Sequence, residues 1–418
     1  MEKLAIFGGP KTREAPFPRH PIIGDNEKKQ VLEVLESGNL STFIASQGEY
    51  FLGGKKIKEF EKKFSEVIGT KFAVAFNSAT SALHAAIVAT GVQPEHEVIV
   101  PPYTFTSTAT SVLMHNAIPI FSDVKEDTFC LDPKKLDKVK SSLTQAIIPV
   151  HLFGHPCDMD EIMEFAKKNK LKVIEDCAQS PGGIYKGKKV GTIGHCGIFS
   201  FQETKNIMTG EGGMLVTNDD EIAKYAQMMR NHGEVISSEQ KSRSYKAEIL
   251  GWGYRMTELE ASIGIAQIEK LEELNNERIR LAKRLTEKIN AIDGLMHTTY
   301  EHVKNVYYVY AFTFNEEKIG ISREEFCKAV NAEGIPIAGG YVKPLYLNPI
   351  YQEKTPYAFK NYQGNAKYDK GICPIAENLF EEKLVLIPVV RPPSTDSDID
   401  DIINAINKVI TSNELKKK

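Results

Sequence analysis

The chain has 418 residues, 42% of them hydrophobic and 26% charged, with a formal net charge of −3 at pH 7. That length suggests two or three domains and is ample for a large core that needs no disulfide or metal staple. The weak charge imbalance excludes a general electrostatic case for nucleic acid or an anionic membrane surface as partner.

The six cysteines, Cys130, Cys157, Cys177, Cys196, Cys327 and Cys373, are scattered, with no Cys-x-x-Cys pair and no His/Cys cluster at zinc spacing. They read as single buried thiols in a reducing cytoplasm, and no metal is expected. The opening Met1-Glu2-Lys3-Leu4-Ala5 lacks the basic stretch and apolar run of a signal peptide, and no segment is apolar for long enough to span a bilayer. The expected location is the cytoplasm, with Lys416 to Lys418 as a frayed, solvated end.

In chain order, residues 1–25 are rich in Pro, Gly and charge, carry no period, and read as an arm lying on another part of the molecule. From Asn26 to Gly69 the pattern is helical, with Val31, Leu32, Val34 and Leu35 near one stripe and Phe60, Phe64 and Val67 on another. Strands and helices then alternate. Strands are expected at Phe72–Phe76, Glu97–Val100, Ile118–Phe121, Ala146–Val150, Leu171–Glu175, Gly197–Phe201 and Met214–Thr217. Helices are expected at Thr80–Thr90, Ser107–Asn116, Met159–Lys168 and Glu221–Asn231. Repeated strand–helix units with apolar strands argue for an α/β fold, a mostly parallel sheet covered on both faces.

After Met256 a long helical stretch carries Leu259, Ile263, Leu271, Leu274, Leu281, Leu285 and Ile289 at roughly helical spacing. Beyond Asp293 the order is less regular, with Val306–Phe314 strand-like and Ser322–Glu333 helical. The expected division is an arm over 1–25, a large α/β domain over 26–285 and a smaller α+β domain over 286–418.

Four segments fall at expected strand ends, where open α/β sheets bind ligands. Asn77-Ser78-Ala79-Thr80-Ser81 joins a strand to a helix; its small residues and free N–H groups suit a phosphate, although a plain capped helix start reads the same way. No Walker loop and no Gly-x-Gly-x-x-Gly fingerprint is present. Pro102-Tyr103-Thr104-Phe105-Thr106 offers an aromatic that could stack on a flat ring or fill the core. Glu175-Asp176-Cys177-Ala178-Gln179 puts a carboxylate at a strand end, where it could keep a pyridine nitrogen protonated or cap a helix. Phe199-Ser200-Phe201-Gln202-Glu203-Thr204-Lys205-Asn206, backed by Gly210-Glu211-Gly212-Gly213, places a lysine where partial desolvation would make its amine nucleophilic, as a Schiff-base lysine requires.

Taken together and in this order, these segments resemble the fold-type I enzymes that use pyridoxal 5'-phosphate (PLP), and specifically the DegT/DnrJ/EryC1/StrS sugar aminotransferase family. The resemblance runs from about Gly8 to about Asp400. It implies a large domain with a mostly parallel seven-stranded sheet and a smaller C-terminal α+β domain. It implies that Lys205 carries PLP and moves the proton, that Asp176 pairs with the pyridinium nitrogen, and that Phe105 stacks on the ring. Ser78, Ala79, Thr80 and Ser200 would hold the phosphate, and Gln179 would lie near the ring 3-oxygen. Gln202 would also belong to the cofactor site, and Tyr254, Arg255 and Tyr341 would face substrate.

A branch of the family that removes hydroxyls has histidine at the position of Lys205, so lysine here implies transamination, with pyridoxamine 5'-phosphate as the alternate cofactor form. Gln202 resembles the cyclitol branch, which uses glutamine; enzymes aminating C4 of nucleotide sugars often have histidine there. The segments Leu4 to Pro10, Tyr341 to Tyr346 and Cys373 to Glu377 lean the same way. The substrates implied are an amino-acid donor, L-glutamine or L-glutamate, and a ketone on a sugar or cyclitol. Many relatives place an Asn before the Tyr-Arg pair, where it reaches across a homodimer to the phosphate; this chain has Gly253 there. A homodimer with shared active sites is the expected assembly. Another fold-type I reaction, and a PLP-binding regulator without turnover, are the competing readings.

Overall fold

The structure is a computed structural model that describes residues 2–43, 50–235 and 246–416. The chain lays down β1 (Phe72–Phe76), β2 (Glu97–Val100), β3 (Ile118–Phe121), β4 (Thr144–Ile147) and β5 (Lys172–Asp176). A short ribbon of β6 (Ile184–Tyr185) and β7 (Lys188–Lys189) follows, then β8 (Cys196–Ser200) and β9 (Gly213–Thr217). Seven of these form one sheet in the order β1-β9-β8-β5-β4-β2-β3. Neighbours pair parallel except β9, which runs antiparallel to both β1 and β8. Strands β2, β8 and β9 are buried along their whole length, as a sheet covered on both faces demands.

Helices α1 (Asp25–Ser37), α2 (Lys55–Ile68), α3 (Ala79–Ala89) and α4 (Ser107–Met114) belong to this half. Helix α3 is almost wholly apolar, Ala82 to Ile87 being buried, because it lies between the sheet and its neighbours rather than at the surface. On that face Val74, Phe76, Leu83, Val98, Ile147 and Ile174 share one core. On the other, Phe60 and Phe64 of α2 meet Phe199, Phe201 and Met214 of the sheet and Ile265 of the helix Glu258–Ile268.

The C-terminal part adds β10 (Leu295–Met296), β11 (Val303–Lys304), β12 (Tyr310–Phe314), β13 (Ala338–Gly339) and β14 (Leu384–Ile387). Its four-stranded sheet has the order β10-β12-β14-β13, while β11 joins the ribbon of β6 and β7. The helices Arg323–Ala332 and Asp396–Thr411 share its core, as do Leu281, Leu285 and Ile289 from the end of the helix Leu271–Ile289. The N-terminal segment is tied to this core. Leu4 is buried in it, and the buried Glu333 carboxylate accepts from Ala5 N, Thr12 N, Thr12 Oγ1 and Lys408 Nζ.

The helical stretch expected over 26–69 is two separate helices, because Gly38 ends α1 at φ +69 and α2 begins only at Lys55. Of its first stripe Val34 is buried, whereas Leu32 and Leu35 stay 54% and 53% exposed. The stretch after Met256 is also two helices, broken at Glu269 and Lys270. The expected strand Val306–Phe314 is ordered as a strand only from Tyr310, since Tyr307 takes φ +47, which no strand accommodates. Among the described residues no helix is long and apolar enough to cross a membrane.

Candidate active site

Parallel strands deliver their C-terminal ends to one edge of the sheet. There β1, β2, β5 and β8 place Ser78, Phe105, Asp176 and Lys205 around a cavity of about 400 Å³. Ala79, Thr80, Gln179, Ser200, Gln202 and Tyr341 line the same cavity, together with Thr204, Glu211 and Tyr308.

Asp176 is the last residue of β5 and is only 3% exposed. Its Oδ2 accepts from Thr108 Oγ1 at 2.9 Å and its Oδ1 from the Ala178 N–H at 3.1 Å. Burial raises its pKa above the ordinary carboxylate range, while the two hydrogen bonds and the positive charge of Lys205 work against that rise. A carboxylate held dry at the base of a cavity is stabilised by a cation brought to it.

The preceding residue fixes this position. Side chains alternate across a strand, so Glu175 points to the opposite face. It accepts from the N–H groups of Gly191, Ile193 and Gly194 at 2.9, 2.7 and 2.6 Å. His151 Nδ1 accepts from Cys157 N, so its Nε2 carries the proton and donates to Glu175 at 3.1 Å. His151 N in turn donates to the Asp176 carbonyl. Ligand atoms of His151, Glu175 and Cys177 lie within 4.8 Å of one another, a spacing a metal would tolerate; the network just described already engages the imidazole and the carboxylate.

Lys205 follows β8 in a tight loop. Its N–H donates to the Gln202 carbonyl at 2.9 Å, and the Gln202 side-chain oxygen accepts from Thr204 N and Thr204 Oγ1. Lys205 Nζ lies 4.2 Å from the centre of the Tyr308 ring, whose hydroxyl is 2.9 Å from Thr204 Oγ1. His20 supports the loop from behind, with Nε2 3.2 Å from the Lys205 carbonyl oxygen.

The N-terminus of α3 forms the opposite end. Ser78 caps it by accepting from Ser81 N at 3.1 Å. The N–H groups of Ala79 and Thr80 precede the first intrahelical carbonyls and are available to an anion. Gly213 lets β9 pass close beneath: a Cβ there would lie 2.4 Å from the Ser78 carbonyl group and 2.5 Å from Ala79 N. Gly210, at φ +90, makes the turn that brings the glycine segment back along the sheet.

Gln179 Oε1 accepts from Phe153 N at 2.7 Å, and its amide nitrogen lies 3.3 Å from the Tyr341 hydroxyl. Burial raises the Tyr341 phenol well above its ordinary pKa. Phe105 is 57% exposed over the cavity, free to cover a ligand. Tyr254 and Arg255 are not brought into the cavity within one chain. Tyr254 Oη meets His84 Nδ1 at 3.1 Å behind α3, and Arg255 Nη1 lies 3.4 Å from Asn231 Oδ1. Thr108, Tyr308 and His20 escaped the sequence reading. Thr108 was within reach of it, one turn after the Phe105 segment, whereas Tyr308 and His20 carry no local signal.

This set of side chains fits PLP. An anion site at a helix N-terminus, a buried carboxylate and a lysine amine border one cavity, and PLP presents a phosphate, a ring nitrogen and a carbonyl carbon. The fit rests on Asp176, whose burial calls for a positive partner, and on the cradle that Gly213 leaves open under α3.

A family model described as the DegT/DnrJ/EryC1/StrS aminotransferase family matches residues 22–407. The chain is 36% identical over 394 residues to the GDP-perosamine synthase of Caulobacter vibrioides, covering 93% of this chain and 97% of that protein. It is 31% identical over 417 residues to a putative L-glutamine:3-amino-2,3-dideoxy-scyllo-inosose aminotransferase of Streptoalloteichus tenebrarius, covering 97% of each. Among solved structures, the aminotransferase from Psychrobacter cryohalolentis superposes with a TM-score of 0.81 at 29% identity, covering 94% of this chain and 98% of that one. The fold is that of the fold-type I PLP aminotransferases.

Proposed function

The chain belongs to the DegT/DnrJ/EryC1/StrS aminotransferase family of PLP-dependent enzymes, and from that premise we propose that it transfers an amino group from L-glutamine or L-glutamate to a ketone on a sugar or cyclitol, with Lys205 carrying the cofactor. The observation that carries this reading is the convergence of Lys205, buried Asp176 and the N-terminus of α3 on one cavity. When bound, PLP supplies an electron sink that stabilises negative charge at the carbon bearing the transferred nitrogen.

The chain's own residues would do the rest. The Ala79 and Thr80 N–H groups, with Ser78 and Ser200, hold the phosphate and fix the ring. Asp176 keeps the ring nitrogen protonated, and Thr108 and Ala178 keep Asp176 ionised and in place. Phe105 covers one ring face, and Gln179 orients the 3-oxygen edge. Lys205 Nζ would take the proton from the donor's Cα and hold it as an ammonium on that side of the cavity until it is returned. In the second half the keto substrate enters the same cavity and Lys205 runs the transfer in reverse.

Gln202 supports a cyclitol ketone, as does the likeness to the inosose aminotransferase, while the likeness to GDP-perosamine synthase supports a nucleotide-linked sugar. Tyr341, hydrogen-bonded to Gln179, belongs to the substrate side. Tyr254 and Arg255 would act from a second subunit. Exposed Met114, Leu250 and Trp252 beside them support a homodimer with shared sites. The six buried, unpaired cysteines suit a reducing cytoplasm.

The test is an absorbance spectrum of the purified protein with PLP, before and after each donor, with borohydride trapping and peptide mapping. A visible band that bleaches with donor, and a pyridoxyl group on Lys205, are expected; assays with scyllo-inosose and with a nucleotide-linked ketosugar then separate the acceptors. A protein that stays colourless with PLP, with Lys205 unmodified, overturns the reading.

A further inference from the structure

The segment 150–157 joins the cofactor cavity to a pair of buried thiols. Val150 lines the cavity, and Phe153 supports two more residues of its wall. The Phe153 N–H donates to Gln179 Oε1 at 2.7 Å, and its ring meets the Tyr341 ring edge-on at 5.1 Å. Phe153 does this at φ +56, in the left-handed region that a phenylalanine avoids, so its surroundings must hold it there. Two cysteines grip the segment at its ends. Cys157 Sγ lies 3.1 Å from the Val150 carbonyl oxygen, and Cys130 Sγ lies 3.3 Å from the His155 carbonyl oxygen. Both thiols are buried, and they are hydrogen-bonded to each other.

A base stands beside them. His155 Nδ1 is 2.8 Å from the Pro156 carbonyl oxygen and so carries the proton of the neutral ring. Among the described residues its buried Nε2 has no well-directed hydrogen-bond partner, and the imidazole lies next to the Cys130 thiol. The two thiols are not equivalent. Burial pushes the Cys130 thiol up, but the contacts with Cys157 and His155 outweigh it and hold that thiol below its ordinary value. Burial and the same contact push Cys157 well above. His155 also lines a second cavity, of about 240 Å³, with Thr298, Tyr300, Lys304 and Asn305. That cavity admits a solute little larger than water to within one side chain of Cys130.

We propose that Cys130 and Cys157 are a redox pair, in which hydrogen peroxide closes a disulfide between them and the closure loosens the Phe153 segment that holds Gln179 and Tyr341 at the cavity wall. Cys130 gives its proton to His155 Nε2, and the thiolate attacks one oxygen of the peroxide. The O–O bond breaks, and the departing hydroxide takes the proton from His155 and leaves as water. The Cys157 sulfur then attacks the sulfenic sulfur of Cys130; the S–O bond breaks, and the hydroxyl leaves with the Cys157 proton as a second water. Two thiols lose two electrons, and one peroxide becomes two waters. A dithiol reductant reverses the step by becoming a disulfide itself.

The sulfurs start in hydrogen-bond contact, so small side-chain rotations bring them to the disulfide length of about 2.05 Å. A disulfide has no S–H, so the buried carbonyls of Val150 and His155 each lose a donor at the two ends of the segment. A buried carbonyl deprived of a donor is unfavourable, and the strained Phe153 backbone between the two is the part free to relax. Gln179 and Tyr341 move with it. The effect on the cofactor rests on the aminotransferase reading; the disulfide does not.

The experiment treats the purified protein with increasing hydrogen peroxide, blocks the remaining thiols and maps the peptides, with and without a dithiol reductant. Loss of two of the six free thiols and a Cys130–Cys157 cross-link are expected. PLP affinity, titrated on the apoprotein, should fall about threefold to tenfold on oxidation, the scale of one lost neutral hydrogen bond, and return on reduction. Cys157→Ala lies outside the cavity lining and should bind PLP like the reduced wild type. After peroxide it should show no cross-link and leave Cys130 as a sulfenic acid that dimedone traps. Six thiols that stay reduced until the protein unfolds overturn the proposal, and so does a cross-link between other cysteines. A Cys130–Cys157 disulfide with unchanged PLP affinity removes the coupling to the cavity and overturns it as well. A reduced protein that takes up no PLP instead removes the aminotransferase reading, while the thiol count and the map still decide the disulfide.

Discussion

His20 and Lys205 are 185 residues apart in sequence, yet the imidazole Nε2 of the first lies 3.2 Å from the carbonyl oxygen of the second. The N-terminal segment thus supports the loop that presents the Lys205 amine to the cavity. Because burial keeps His20 neutral, Nε2 carries a proton and donates to that carbonyl. Replacing His20 with Ala should leave Lys205 chemically intact but less firmly placed. A neutral hydrogen bond contributes about 0.5–1.5 kcal/mol, so the donor half-reaction should slow by about threefold to tenfold, with little change in donor affinity. His20→Gln, which keeps a donor, should recover most of it. Single-turnover bleaching of the visible band reads the effect, and an unaltered rate in the Ala variant would leave His20 as structural support for the arm alone.

The approach of β9 to α3 gives a sharper steric test. With a Cβ at position 213 only 2.4 Å from Ser78 backbone atoms, Gly213→Ala must push the N-terminus of α3 outward. The strand is fully buried and cannot yield instead. Overpacking of this kind costs about 1–3 kcal/mol, concentrated on the helix start proposed to hold the phosphate. PLP affinity, measured by titrating the apoprotein, should fall about fivefold to a hundredfold while the folded state persists. Gly187, whose added Cβ would meet nothing within 4 Å, is a control for an unrelated glycine turn.

Strands β1, β2 and β3 were readable to the residue because short, mostly apolar runs bounded by polar or turn residues mark buried strands, and most other elements differ by one or two residues at their ends. The four motif segments lie at the ends of such strands, so Ser78, Ala79, Thr80, Phe105, Asp176, Gln179, Ser200, Gln202 and Lys205 meet in one cavity by topology alone. Leu32 and Leu35 misled, since an apolar stripe does not say whether this chain covers it. Tyr308 and His20 were invisible for a different reason. Each arrives from a separate part of the chain, and no local pattern records a contact made across 100 or more residues.

Asp176 offers a test of charge rather than shape. Asparagine fits the same space and can still meet Thr108, but it cannot stabilise a positive ring nitrogen. Asp176→Asn should keep the lysine-bound cofactor and slow the donor half-reaction on the order of 100-fold to 1000-fold, the range seen when one preorganised electrostatic contact is lost. Thr108→Val removes a single hydrogen bond from Oδ2, and burial then raises the Asp176 pKa further. Its rate loss should be about tenfold and greatest at low pH, where the carboxyl is protonated first. A Thr108 variant with a pH profile identical to wild type would remove that residue from the network.

Three buried histidines are expected to weaken the fold on the acid side. Burial is the largest cause in each case, and it lowers the pKa of His20, His84 and His297 to about 4. Each should titrate near 6.5 in the unfolded chain. Between those values the unfolded chain binds a proton that the folded chain refuses, so unfolding becomes easier as pH falls from about 6.5 toward 4, and the contribution is absent above that window. His297 is the clearest case, only 7% exposed, with Nδ1 2.7 Å from the Ala311 carbonyl and Nε2 3.4 Å from the Tyr307 hydroxyl. Its share of the slope approaches roughly 1.4 kcal/mol per pH unit within the window. Denaturant melts at pH 7, 6, 5 and 4.5 should show that loss in the wild type. His297→Asn keeps a donor of similar reach and has no proton to gain, so it should be less stable than wild type at pH 7 and show a flatter dependence below 6.5. Parallel curves for the two proteins would mean that His297 does not resist protonation in the fold, and the acid sensitivity would then have to come from His20, His84 and the carboxylates.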